Sequence, residues 1–410
     1  MIWFRKKKDE PLTQAMDEMR ARFPLLAQSD IAYLDSGATA HKPNVVLDAE
    51  RNYYETQNAN VHRGIYKLAD ASTQAYEDAR ATVASFFGAK PHETVFTSGA
   101  THALNLGVHV LDYALALKEG DEIVTTVAEH HSLFVPLQHI AKRTGATLIV
   151  VPLTDGTITA ESIDERVTAK TKLIAIAHAS NVLGYTLDLK RIKKGRAILF
   201  VDACQSAVHS EVELGHIDAL AVSAHKLYGP MGIGALVMKQ TLLENGEPLL
   251  FGGSMIHSVT IQESTWAEPP ARYEAGTPNV AGAVGFAAAL KFITTHRSLI
   301  ERREKELTAK AEAIIGKYAT IIGQKPGTRT APIVSFVMPD IHAHDVAQVL
   351  DAFGVCVRAG QHCTQPLHDA LGVTASVRVS IGAYTTDADL AKLDEGLAHA
   401  HKVLGKGVAK

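Results

Sequence analysis

The chain has 410 residues, of which 46% are apolar and 21% charged, and a formal net charge of -3. This is the composition of an ordinary soluble protein with ample core-forming material, and it makes no electrostatic case for a nucleic-acid partner. Three cysteines in so long a chain exclude a disulfide framework and favour a reducing compartment.

The N-terminus, 1-MIWFRKKKDEPL-12, puts its basic cluster after the apolar residues, the reverse of a signal peptide, and reads as a short amphipathic arm. No window approaches the roughly 18 apolar residues that a bilayer span needs. No membrane partner and a cytoplasmic location are therefore expected. From about residue 90 to 235 the pattern is strand, turn, helix, repeated. The runs 94-TVFT-97, 122-EIVTT-126, 147-TLIVVPL-153, 173-LIAIAHA-179 and 197-AILFVDA-203 have strand length and β-branched content. Helical patterns at 101–118 and 132–145 separate several of them, which predicts a mostly parallel sheet with helices on both faces. Near 187–193 there is room only for a reduced helix. A helix-rich stretch, 280–319, leads into a smaller α+β pattern: strand 332–339, helix 343–354, strand 355–360, strand 376–382, helix 386–404. The domain boundary is expected near 290–300.

The strongest chemical signal is 222-VSAHKLYGPMGIGAL-236. An isolated lysine is usually a solvated one, but Lys226 follows the short apolar run 218-DALAVSA-224 and precedes a Gly-Pro-rich turn. A neutral amine at a shielded strand end can form a Schiff base. If the aldehyde is that of pyridoxal phosphate, an acid must pair with its ring nitrogen. Asp202 ends the apolar run 197-AILFVD-202 and is the candidate, with a helix-capping role as the plain alternative. Gln205 could donate to the ring hydroxyl. The turn in 96-FTSGATHALN-105 offers Ala100 and Thr101 at a helix start for the phosphate, although Ser/Thr/Gly turns open many helices. Ser223, His225 and Thr277 could add donors. His130 or His131 could stack on the ring face, and Asn181 adds a polar group at a neighbouring strand end. All of these lie where open α/β sheets bind ligands, at the carboxyl ends of strands. Cys363, in 358-RAGQHCTQPL-367, remains a filler, a ligand or a nucleophile on this basis alone.

Taken together, 34-LDSGATAHKP-43, 58-NANVHRGIY-66, 129-EHHSLFVPLQ-138, 178-HASNVLG-184, 201-VDACQS-206, 223-SAHKLYGPMGIG-234, 252-GGSMI-256, 272-RYEAGTPN-279 and 358-RAGQHCTQPL-367 resemble a cysteine desulfurase of the class-V aminotransferase family, most closely the SufS/CsdA type. The resemblance runs from about residue 30 to 405. It implies the pyridoxal-phosphate-dependent transferase fold type I: a large domain, 28–296, with a mostly parallel seven-stranded sheet, and a smaller α+β domain, 297–410, with segment 1–27 packing near it.

The resemblance also implies roles. Lys226 matches the Schiff-base lysine and Cα proton shuttle, Asp202 the partner of the ring nitrogen, Asn181 and Gln205 the ring-oxygen contacts, and His130 the stacking histidine. Ala100, Thr101, Ser223 and His225 match phosphate contacts, and Thr277 the one that reaches in from the other subunit of a homodimer. Arg378 matches the clamp for the substrate carboxylate, while Arg358 and His62 match pocket residues. Cys363 matches the sulfur-accepting cysteine. The implied reaction converts L-cysteine to L-alanine and leaves a persulfide on Cys363. An acceptor protein of SufU or SufE type then takes the sulfur for Fe–S cluster assembly. A thiol of ordinary pKa is mostly protonated at neutral pH, so a nearby charge or base should assist Cys363, and Arg358 and His362 are nearest in sequence. His344 matches a histidine that in some relatives takes up zinc from a zinc-bearing acceptor. An ordinary exposed histidine at a helix start accounts for it equally well.

Three departures stand out. The phosphate loop reads Ala100-Thr101-His102 where relatives have Thr-Thr-Glu, Thr385 stands where an asparagine is usual, and the segment near 187–197 is short by roughly two helical turns. Two rival functions are distinguishable. Selenocysteine lyase or aminotransferase chemistry would use the same lysine site. A metal-binding protein could use His362, Cys363 and His368, but their spacing lacks a paired C-x-x-C or H-x-x-x-H set, and no metal is expected.

Overall fold

The computed structural model describes residues 18–405, so the amphipathic arm expected at 1–12 lies outside the described residues. The chain forms two compact units. The large unit comprises Val45–Ser180 and Thr186–Thr295; the small unit comprises the chain up to Asn44, Asn181–Tyr185 and everything from His296.

The large unit is built on a seven-stranded sheet of β1 (Thr94–Thr97), β2 (Glu122–Thr126), β3 (Thr147–Val151), β4 (Thr171–Ala177), β5 (Ile198–Asp202), β6 (Ala219–Ser223) and β7 (Gly234–Met238). Their spatial order is β1-β7-β6-β5-β4-β2-β3. Within this sheet only β7 runs antiparallel to its neighbours. Parallel strands need crossover helices, which cover the sheet, so central strands read as continuous apolar runs. Leu199, Phe200 and Val201 of β5 are fully buried, each contributing about 1.5–3 kcal/mol of burial. Helix α1 (Ala100–Leu115) follows β1 and lays Ala103, Leu104, Leu106 and Val110 into the same core as Phe200 and Leu236. It can do so because residue 107 is glycine: an added Cβ would stand 2.4 Å from Cζ of Phe200. Helix α2 (His131–Thr144) ends with Lys142 and Arg143 in its last turn and Gly145 in the left-handed region at φ 77°, both of which suit a helix C-terminus.

One consequence of the parallel arrangement matters for function. Thr97, Thr126, Ala177, Asp202 and Ser223 all finish their strands on one edge of the sheet, with Ala177 opposite Asp202 and Gly234 opposite both Ser223 and Thr97. Strand β4 runs two residues earlier than its expected 173–179, because the chain leaves the sheet at His178 and forms an antiparallel bridge between Ala179 and Thr186. The shortened link near 187–197 holds only a 3-10 turn, Leu189–Arg191.

The small unit receives the 36-residue helix α3 (Val280–Ile315) from His296 onward. Its sheet is fully antiparallel: β8 (Thr320–Ile322), β9 (Ile333–Val337), β10 (Arg358–Gly360) and β11 (Ser376–Ser380) in the order β8-β9-β11-β10. The helices α4 (Ala343–Ala352), α5 (Gln365–Leu371) and α6 (Asp387–Leu404) complete it. α6 starts with a reciprocal cap, in which Thr386 N–H donates to Asp389 Oδ2 at 2.8 Å and Thr386 Oγ1 accepts from Asp389 N–H at 3.4 Å. The stretch 355–360, expected as one strand, is two. Val355–Cys356 pairs parallel with Ala32–Tyr33, and β10 pairs antiparallel with β11. Two partners in different directions break the strand at Val357.

The same ladder holds residues 28–44 in the small unit, although the expected large domain began at 28. Asn181–Tyr185 is held there by Arg329, whose Nη1 donates to Leu183 O at 2.8 Å while its Nε donates to Glu312 at 2.7 Å. The described part of the N-terminal segment also packs in this unit. Phe23 stands edge-on to Tyr384 with centroids 4.9 Å apart, and Arg20 pairs with Asp389 at 3.0 Å.

Candidate active site

In the large unit the strand-end edge gathers most of the expected cofactor residues. Lys226 closes a 3-10 turn, Ala224–Lys226, that follows β6 directly and leaves its side chain half-buried. Asp202 is 7% exposed at the end of β5 and accepts from the Cys204 N–H at 2.9 Å through Oδ1. The local turn foreseen as the plain alternative is thus present, and Gln205 lies buried three residues on. At the start of α1, Gly99 is the N-cap at φ 148° with no side-chain cap, and the Ala100 N–H donates to Ser223 Oγ at 3.1 Å. Thr101 Oγ1 stands 2.9 Å from Ser132 Oγ. His102, the departure from the expected glutamate, accepts from Ser98 N–H through Nδ1 at 3.3 Å, and burial lowers its pKa.

His130 caps α2: its Nδ1 accepts from Ser132 N–H at 3.1 Å, which leaves Nε2 to carry the proton in the neutral ring. The pattern-based choice between His130 and His131 did not anticipate this capping. His62 is in the left-handed region at φ 64°, half-exposed, edge-on to Tyr76 and 3.5 Å from Glu77. Thr277 lies exposed in the turn that precedes α3. A cavity of about 680 Å³ opens between α1 and α2, walled by Val108, His109, Val135, His139 and Arg143; Lys226 and Asp202 do not line it.

A residue without an assigned role in the sequence is central here. Glu129 is 1% exposed; it accepts from Thr126 Oγ1 at 2.6 Å and from the Ala177 N–H at 2.7 Å. It thereby ties the ends of β2 and β4 together one position before His130. Burial raises its pKa to about 8, and the Asp202 charge adds to the rise. Between about pH 4.5 and 8 the unfolded chain releases this proton while the folded chain keeps it, so stability falls as pH rises through that window. Glu129→Gln removes that dependence. Melting temperatures of variant and parent taken near pH 5 and near pH 8 should show a smaller decline for the variant.

In the small unit, Arg378 is 1% exposed on β11. Its Nη2 donates to Asp35 at 3.1 Å and its Nη1 to the Asn181 carbonyl at 3.2 Å, while its Nε, though buried, has no hydrogen-bond partner. Burial pulls its pKa below the usual arginine range. Gly37 makes room for the guanidinium, since a Cβ there would sit 3.2 Å from Cζ. Cys363 follows β10 in a sharp turn, partly exposed, and Arg358 Nη2 stands 3.5 Å from its sulfur. His362 and Cys363 are both left-handed, at φ 52° and 59°, a conformation that costs non-glycine residues about 1–3 kcal/mol each.

The cost is met by fixed contacts. His362 Nε2 donates to Ser376 O at 3.1 Å and lies 3.0 Å from Ser376 Oγ, which also stands 3.0 Å from His368 Nε2. His368 Nδ1 donates to Thr364 O at 3.1 Å, so its Nε2 accepts the Ser376 hydroxyl proton. Burial, aided by the charges of Arg378 and Arg358, pushes the His362 pKa down to about 2. His362 is therefore a neutral strut, and of the two candidates beside Cys363 only Arg358 supplies positive charge. Asn181, expected at the ring oxygen, donates through Nδ2 to the His362 carbonyl at 2.8 Å. Thr385 closes the turn after β11 by accepting from Gly382 N–H at 3.0 Å. Among the described residues no cluster of three His, Cys, Asp or Glu side chains could hold a metal ion.

A class-V aminotransferase profile matches residues 32–393, and the chain belongs to the class-V aminotransferase family. Enzymes of this class use pyridoxal phosphate. Within it the chain is similar to cysteine desulfurases. It is 43% identical to a probable cysteine desulfurase of Halalkalibacterium halodurans over 95% of this chain and 98% of that one. It is 40% identical to probable cysteine desulfurase 2 of Mycobacterium leprae at the same coverage. Among solved structures, the apo cysteine desulfurase of Thermococcus onnurineus superposes with a TM-score of 0.88 at 36% identity, covering 95% of this chain and 98% of the other. The cysteine desulfurase CsdA of Escherichia coli, solved as its S-sulfonic acid, gives 0.86 at 35% identity over the same shares. The large unit suits the cofactor. It brings an amine and a buried carboxylate to one sheet edge, beside a helix start where a Cβ on Gly99 would meet Ser223 Oγ at 3.2 Å.

Proposed function

We propose that this enzyme converts L-cysteine to L-alanine and stores the sulfur as a persulfide on Cys363. The observation that carries this reading is the seat of Cys363: a partly exposed thiol in a strained turn, 3.5 Å from a guanidinium, in the unit that also buries Arg378. A buried filler would need neither the charge nor the strain. Bound pyridoxal phosphate supplies an electron sink for the substrate Cα–H bond. Ala100, Thr101, Ser223 and His225 would hold its phosphate, His130 would cover a ring face, Asp202 would keep the ring nitrogen protonated, and Gln205 would serve the ring oxygen, while the Asn181 amide is engaged at the His362 carbonyl.

Lys226 takes the Cα proton and later returns one. Arg378 holds the substrate carboxylate, with Arg358 and His62 lining the pocket. The Cys363 thiolate attacks the substrate sulfur; an S–S bond forms, the Cβ–S bond breaks, and its electron pair stays on the substrate carbon, which is protonated to give alanine. Selenocysteine is the alternative substrate for the same residues.

Thr277 acts across a homodimer, in keeping with its exposure and with the exposed Met231, Phe251 and Ile261 of the same unit. The sulfur passes to an acceptor protein of SufU or SufE type, for Fe–S cluster assembly in the cytoplasm. No helix of the described residues is long and apolar enough to cross a membrane. Detection of alanine and sulfide from L-cysteine, with and without each acceptor type, tests the reading; absence of both products would end it.

The SufU choice has its own test. His344 is exposed on the first turn of α4, and its Nε2 lies 4.0 Å from where a Cβ on Gly360 would stand, three residues before Cys363. His344→Ala is expected to lower acceptor-stimulated turnover about 10-fold, on the scale of losing a metal ligand or its support, and to leave unstimulated turnover unchanged. Equal stimulation of variant and parent would exclude a zinc hand-over through His344.

A further inference from the structure

We propose that Asn181 is a positioning residue that links Arg378 to the Cys363 loop, so that a carboxylate bound at Arg378 changes the reactivity of the Cys363 thiol. The inference rests on the proposed function and adds a route within the small unit.

Asn181 uses its two ends on different partners. Its backbone carbonyl accepts from Arg378 Nη1 at 3.2 Å, and its side-chain Nδ2 donates to the His362 carbonyl at 2.8 Å. All three residues are buried, at 6%, 1% and 2% exposure, so water does not compete for these bonds. The segment cannot simply drift. Leu183 O accepts from Arg329 Nη1 at 2.8 Å, and Gly184 O accepts from the Thr330 and Ala331 N–H groups at 3.1 Å each. The receiving end is equally constrained, because the His362 imidazole is fastened to Ser376 and both His362 and Cys363 hold left-handed backbones. A turn with few allowed conformations responds to a shift at its carbonyl by moving the adjacent side chain.

The sending end has spare capacity. Arg378 Nε is a buried donor without a partner, while Nη1 and Nη2 bond Asn181 O and Asp35. An arriving carboxylate takes guanidinium donors and redistributes these bonds. Among the titratable and charged groups that face Arg378 are Asp35, Arg358 and Cys363. The Asn181 amide bridges this cluster to the His362 carbonyl; without its N–H, the hydrogen-bonded route from Arg378 to the Cys363 turn is cut.

The test uses the full-length, cofactor-loaded enzyme and L-alanine as a carboxylate ligand that carries no sulfur. Alkylation of Cys363 by iodoacetamide is followed by mass spectrometry, and L-alanine binding by the cofactor absorbance. In the parent, saturating L-alanine should change the alkylation rate at least about 5-fold, the lower end of typical site-to-site coupling. In Asn181→Ala and Asn181→Asp the ratio should fall to near unity while L-alanine still alters the absorbance. No absorbance change in the parent would sink the proposed function itself. An absorbance change without altered alkylation, or coupling that survives in both variants, overturns the role of Asn181. Loss of cofactor from both variants also overturns it, since the amide would then be needed at the cofactor and not at the loop.

Discussion

Cys363→Ala is expected to lower alanine formation from L-cysteine by at least about 100-fold, the scale on which removal of a committed catalytic group registers. Turnover of L-selenocysteine should fall far less. The difference follows from the leaving atom. Cleavage of the Cβ–S bond needs a nucleophile to draw the sulfur away, and Cys363 is the thiol that stands beside a guanidinium, 3.5 Å from Arg358 Nη2. Selenium leaves more readily and has less need of an acceptor thiol. The fold itself should tolerate the change. Cys363 is a free thiol, partly exposed, and alanine is no worse than cysteine in a left-handed turn. Parallel assays of both substrates, with the cofactor absorbance as a control for an intact site, give the answer. If cysteine turnover persists within a few-fold of the parent, the persulfide assignment is wrong. If both substrates fail together, Cys363 serves a step common to both.

The large-unit half of the site was legible because it obeys local rules. Asp202 and Ser223 end strands, Ala100 opens a helix and His130 caps one, and the strands β1, β2 and β5 occupy the positions their apolar content indicated. What the sequence could not show is which distant residues pair within each unit. Arg378 finds Asp35 across 343 positions of chain, Asn181 finds the His362 carbonyl across 181, and Glu129 reaches the Ala177 N–H across 48. Such pairs have no period and no fixed spacing. Asp35 and Glu129 sat inside recognised motifs with no visible role, because a buried carboxylate acquires a role only when its partner is known. His362 illustrates the reverse error. Sequence proximity made it a candidate charge or base for Cys363, but its Nε2 is fixed to Ser376 and burial keeps the ring uncharged, so it acts as a strut. The break of the expected strand 355–360 has the same origin, since a second partner, Ala32–Tyr33, comes from more than 300 positions away.

Lys226→Ala should abolish the other half of the chemistry, and a proton, not sulfur, is the way to see it. L-alanine incubated in deuterated water with the parent enzyme is expected to exchange its α-hydrogen, since the step needs only carboxylate binding, the electron sink and a base at Cα. Lys226 is that base in the proposed function. It closes the 3-10 turn after β6, on the sheet edge that also ends with the buried Asp202. Removal of a positioned acid–base group costs about 10²–10⁴-fold, and loss of the covalent anchor to the cofactor adds to it, so exchange should fall by at least about 1000-fold. Cys363→Ala should exchange L-alanine at the parental rate. The two variants therefore separate the proton step from the sulfur step within one enzyme. Exchange that survives in Lys226→Ala would move the base to another residue, with His130 the first to examine, because its Nε2 carries the proton when Nδ1 caps α2. Exchange that is lost in Cys363→Ala would make the thiol part of proton transfer, and the attack on sulfur would no longer be its defining task.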